Sequence, residues 1–152
     1  MNISVQNLLG KPLQKNYIIE AILFFPDTGK LSGVQTKNGA FFSEKDILFQ
    51  EGKLVLAPHA EGSTPEGEDI LGYMVQSALQ HASLGTIEDI EFSPSFGVLD
   101  RILVSSSLLG IGIPLTKRFF SFDRILRIEN KIVVVDDDRT QKEKDRALCP
   151  AS

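Results

Sequence analysis

The sequence predicts an all-β protein built as two small units in tandem, and three observations carry that expectation. Apolar residues come in short runs rich in Ile, Val, Leu and Phe, broken by turn residues, with little helical periodicity. Two stretches of the chain answer each other in the same order. Between them, residues 58–69 hold two glycines, two prolines and four acids with no base, the composition of a linker.

The correspondence begins with Leu8-Leu9-Gly10 and Ile70-Leu71-Gly72, which are 62 positions apart. It continues at 68 positions, from Tyr17 through Phe24 to Pro26 against Gly85 through Phe92 to Pro94, with Gly29 and Gly97 in step. At 78 positions Phe42-Ser43 matches Phe120-Ser121, Ile47-Leu48 matches Ile125-Leu126, and Glu51-Gly52-Lys53-Leu54 matches Glu129-Asn130-Lys131-Ile132. The growing offset places about six extra residues after the second copy's first strand and about ten after its third, as lengthened hairpins or loops. The boundaries are 1–60 and 70–136 for the two units, 61–69 for the linker, and 137–152 for a charged tail, frayed or briefly helical.

Each element has a local reason. Residues 18–25 read as a strand, and Pro26-Asp27-Thr28-Gly29 as its turn: proline presets φ, Asp and Thr bond the local backbone, and glycine takes positive φ. Residues 31–36 form the return strand, and Lys37-Asn38-Gly39 turns into Phe41-Phe42. Ser43-Glu44-Lys45-Asp46 reads as one helical turn capped by the Ser43 hydroxyl, followed by a strand over 53–57. The matching strands of the second copy are 85–92, 98–105, 115–120 and 131–135.

Composition narrows the function classes. With 152 residues, 42% hydrophobic and 24% charged, the chain is neither disordered nor fibrous. A net charge of -4 provides no global positive field for nucleic acid. The lone Cys149 cannot close an intramolecular disulfide. Residues 1–10 lack the pattern of a secretory signal, and 102–115, the nearest approach to a membrane span, is too short and carries three serines, two glycines and a proline. A cytoplasmic protein is expected.

Leu-Leu-Gly-Lys-Pro at 8–12, Phe-Phe-Pro-Asp-Thr-Gly-Lys at 24–30, Phe-Phe-Ser-Glu-Lys-Asp-Ile at 41–47 and Glu-Gly-Lys-Leu-Val-Leu at 51–56 together resemble the PRC-barrel family. This is the small β-barrel of the photosynthetic reaction-centre H subunit and of a bacterial ribosome-maturation factor. The second copy is similar through Ile70-Leu71-Gly72, Gly85-Thr86-Ile87-Glu88-Asp89, Ser93-Pro94 and Phe122-Asp123-Arg124-Ile125. The first copy departs from the family's Gly-x-Val-x-Asp, with Tyr17 and Ala21 where the second has Gly85 and Asp89. The resemblance spans residues 5–135 and implies two small PRC-barrel-like β-barrels in tandem, with short helical turns, acting as an adaptor without shared catalytic residues.

No catalytic set emerges. Ser105-Ser106-Ser107 lacks the Gly-x-Ser-x-Gly elbow, and His59 and His81 fit no zinc spacing and read as solvated loop residues. Asp136-Asp137-Asp138 lacks the spacing of a calcium loop, and Gly110-Ile111-Gly112-Ile113-Pro114 lacks the strand-to-helix frame of a dinucleotide loop. Glu88, Asp89 and Glu91 read as an exposed acidic edge. No enzyme activity, cofactor or metal is expected.

The candidate interaction surface is the apolar insertion Leu108, Leu109, Ile111 and Ile113 with the neighbouring Lys117, Arg118, Arg124 and Arg127. The hydrophobes either cap a barrel or dock a protein partner or a second subunit, and the cations would steer it. A non-enzymatic protein-interaction module is therefore expected. The alternative is an RNA- or ribosome-associated assembly factor using the same cations on phosphates, against which the net acidity counts.

Overall fold

Alternating apolar runs and tight turns produce strands throughout the computed structural model, which describes residues 2–14, 16–107 and 114–137. The first half contributes β1 (Ile3–Ser4), β2 (Pro12–Gln14), β3 (Tyr17–Phe24), β4 (Leu31–Thr36), β5 (Phe41–Ser43), β6 (Ile47–Gln50) and β7 (Lys53–Leu56). The second contributes β8 (Met74–Ser77), β9 (Ser83–Ser93), β10 (Val98–Ser107), β11 (Pro114–Ser121), β12 (Ile125–Glu129) and β13 (Ile132–Val135). Single 3-10 turns at Val5–Asn7, Glu44–Asp46 and Phe122–Arg124 are the helical elements among the described residues. The protein is all-β.

In the second half the strands run β11-β10-β9-β8-β13-β12 in one sheet, with β8 and β13 parallel and β1 added to β9. The corresponding strands of the first half divide between a sheet of order β2-β3-β4-β5 and the separate hairpin β6-β7.

The two halves make the same bonds at corresponding residues. Gly10 and Gly72 donate their N–H to the carbonyls of Ile19 and Ile87, at 2.8 and 2.9 Å. Gly29 and Gly97 close their turns on Phe25 and Ser93, both at 2.8 Å. Ile47 and Ile125 each follow a 3-10 turn and donate back to its first residue.

Three details differ from the sequence reading. The β6–β7 turn, Glu51-Gly52, corresponds to Asn130-Lys131 and not to Glu129-Asn130, because a bulge between Ile125 and Arg127 adds a residue to β12. Leu54 and Val133 then become equivalent, and both are buried. Ser43 precedes its one-turn helix, but its hydroxyl makes no capping bond and is buried without a partner. The acids Glu88, Asp89 and Glu91 lie on β9, an interior strand, and each is engaged, so they form no exposed edge.

The halves are braced together at two levels. Where the β3–β4 and β9–β10 turns meet, Leu31 N–H donates to the Gly97 carbonyl and Leu99 N–H to the Gly29 carbonyl, both at 2.7 Å. Lys30 bridges Val98, its own counterpart 68 positions on. Beneath them the Phe24 and Phe92 rings meet edge to face, with centroids 5.7 Å apart. At the outer level, β1 pairs with β9 of the other half, Ile3 opposite Phe92. Glu68, just before the second half, pairs with Phe24 on β3 through bonds of 2.8 and 2.9 Å. The 61–69 connector is also tied to β4 and β5, through Ser32 Oγ to the Glu66 carbonyl at 2.6 Å and Ser63 N–H to the Phe41 carbonyl at 2.9 Å. One apolar cluster runs through both halves, from Ile22 and Val34 to Ile90 and Ile102.

A shared core makes the halves unfold together. Phe92→Ala removes a fully buried ring from that core and should cost about 3–5 kcal/mol. Calorimetry should show one transition moved to lower temperature as a unit; two separated transitions would contradict the shared core.

The β12–β13 turn gives a prediction of opposite sign. Asn130 and Lys131 both hold positive φ, 52° and 64°, as a two-residue hairpin of this type requires, while the other hairpin has glycine at the second position. Lys131→Gly should stabilise by about 1 kcal/mol by removing the left-handed backbone cost, measurable as a higher denaturant midpoint.

Candidate interaction surface

The outer face of β9, β10 and β11 brings together charged and aromatic side chains from three strands. Strand alternation turns Ile102, Val104 and Phe120 into the core and Arg101, Leu103 and Phe119 outward. The Arg101 guanidinium lies over the Phe119 ring at 3.8 Å and bonds Glu91 through Nε at 3.0 Å and Nη2 at 3.3 Å. Lys117 Nζ reaches Glu88 Oε1 at 3.1 Å. Asp89 accepts from Gln6 N–H at 3.0 Å and from the Ser4 hydroxyl, so it fastens the β1 segment to β9. The first half has Ala21 at that position and no such anchor. Arg101 and Lys117 on this face are therefore each paired with an acid of β9.

Among the predicted surface residues, Lys117 and Arg118 lie on β11, Arg124 in the 3-10 turn and Arg127 on β12. β11 and β12 are opposite ends of the sheet path. Arg118 lies over Phe120 at 4.4 Å, and Arg124 Nη1 donates to the Asp136 carbonyl at 3.3 Å. Arg127 lines a shallow cleft of about 380 Å³ with Pro26, Asp27 and Phe122. Leu108, Leu109, Ile111 and Ile113 lie outside the described residues. The structure adds Phe119, 43% exposed beside the outer edge of β11, and Arg101. The alternation of Lys117-Arg118-Phe119-Phe120 carried the signal for Phe119, but which phenylalanine faces out depends on register.

The same strand pairing places the remaining candidates. Ser105 sits on β10 opposite Lys117 and Thr86. Asp137 accepts from Ser77 Oγ at 2.6 Å, close to the β8–β13 pair. Among the described residues no three His, Cys, Asp or Glu side chains converge on a metal position, and no helix is long and apolar enough to cross a membrane. The chain matches neither a protein-family model nor a curated protein.

Two groups with shifted pKa values mark the connector. Partial desolvation raises the Asp69 carboxyl above its ordinary range, against the lowering effect of the Leu71 N–H it accepts. Burial also raises the Tyr73 hydroxyl above 10, reinforced by the charge and hydrogen bond of Glu68. In the unfolded chain Tyr73 would lose its proton first. The stability tied to this hydroxyl is thus complete below pH 10 and is lost as pH climbs through the higher folded value. In a Tyr17→Phe background, Glu68→Gln should move the phenolate absorbance titration of Tyr73 down toward 10. An unchanged titration would contradict the Glu68 contribution.

Proposed function

We propose that the chain is a non-enzymatic protein-interaction module made of two PRC-barrel-like units, and that it docks its partner on the outer face and outer edge of β11. The paired bonds around Gly10 and Gly72, Gly29 and Gly97, and Ile47 and Ile125 support two related units. The observation carrying the docking assignment is Phe119, an exposed ring with the Arg101 guanidinium over it, on the strand that ends the sheet order. Aromatic and arginine side chains fixed in this way are the residue types that anchor protein interfaces. Among the described residues no strand pairs with the outer edge of β11, whose backbone donors and acceptors an extended partner segment can meet.

The RNA alternative receives less support from this face. Arg101 and Lys117 on this face are already paired with Glu91 and Glu88, so neither stands ready to neutralise a phosphate. The discriminating measurement is capture at moderate salt with the wild type and with Phe119→Glu. A stoichiometric protein held by the wild type and weakened at least about tenfold by the variant is expected, because a charge replaces a central aromatic anchor. Recovery of RNA-dependent material alone, with a steep salt response, would replace this reading with the RNA one.

A further inference from the structure

The seam between β2 and β7 differs from its counterpart in the second half in a way that creates a site. There β8 and β13 pair in parallel, Met74 opposite Ile132 and Val75 opposite Val133. The equivalent β2 and β7 belong to separate sheets. Pro12 stands where the second half has Met74, and proline has no N–H to offer a neighbouring strand. Lys53 stands in place of Ile132, Gly52 in place of Lys131, and Lys11 in place of Tyr73. Pro12 removes a donor at the seam, and Lys53 and Lys11 put charge where the second half has Ile132 and Tyr73.

The result is an open cavity of about 330 Å³, within the usual range for small-molecule sites. Its floor is the hydrophobic core itself, since the lining Leu8, Ile19 and Leu54 are all buried core residues and Pro12 adds an apolar wall. Lys11 and Lys53, both exposed, complete its lining, and neither has an ion pair among the described residues. An apolar slot lined by two exposed lysines matches a ligand with an anionic head and a hydrocarbon tail.

We propose that this seam binds a small amphipathic carboxylate of the medium-chain fatty-acid class, with the tail on Leu8, Ile19 and Leu54 and the carboxylate between Lys11 and Lys53. The tail would cover apolar surface that a closed strand pair covers in the other half. The head would accept charge-assisted hydrogen bonds from both lysines. The site is independent of β11, so it stands or falls separately from the docking surface.

The probe is decanoate, titrated below its micelle concentration by calorimetry and followed by amide shifts at residues 8–19 and 52–54. Saturable one-to-one binding is expected. Lys11→Gln combined with Lys53→Gln, which alters exposed side chains only, should weaken it by about 10- to 100-fold. Decanol should bind at least about tenfold more weakly than decanoate. Pro12→Met combined with Lys53→Ile, copying the second half, should abolish binding while keeping the melting temperature equal or higher. Absence of saturable binding to the wild type would overturn the proposal. So would decanoate binding unaffected by the lysine replacements, or decanol binding as tightly as decanoate.

Discussion

The architecture depends on how two β-turns are held face to face. A two-residue approach of backbone to backbone, Leu31 to Gly97 and Leu99 to Gly29, places the Phe24 and Phe92 rings in edge-to-face contact. Aromatic pairs of this geometry contribute about 0.5–1.5 kcal/mol beyond the area they bury. The larger effect is positional. With the turns locked, the ends of β3 and β9 lie where Glu68 and β1 can pair with them, and the 61–69 connector is drawn along β4 and β5.

That arrangement explains why equivalent residues do different work in the two halves. Asp89 anchors the β1 segment, whereas Ala21 at the matching place is buried with Leu23 and Phe41 in a small cluster of its own. Met74 and Ile132 face each other across a closed strand pair, whereas Pro12 and Lys53 border an opening. A shared frame therefore carries a closed sheet on one side and an interrupted one on the other.

Much of this was legible in the residues. The turn at 26–29, the strands that follow it and the one-turn helix at 44–46 all follow from signals that act locally. What the residues concealed was non-local. The bulge after Ile125 shifts the hairpin register by one, and no single residue there announces it. The short strands β1, β2 and β8 exist because other strands receive them, not because their own two to four residues demand extension. The Glu-Asp-x-Glu run of β9 suggested a solvent edge, yet its partners Arg101, Lys117 and Gln6 come from 10 to 83 positions away. The pairing of Arg101 with Phe119 was hidden for the same reason, since it needs the β10–β11 register to be known.

Reciprocal strand exchange also constrains the order in which the molecule can be made. During synthesis the first sixty residues leave the ribosome before Glu68, which completes β3, and well before β9, which receives β1. The nascent first half can pair β3 with β2 and β4, but its Phe24 end waits for Glu68 and β1 stays unpaired until β9 has emerged. Successful maturation then rests on shielding those exposed edges from neighbouring polypeptides, a task for holdase-type chaperones or for fast elongation through the second half.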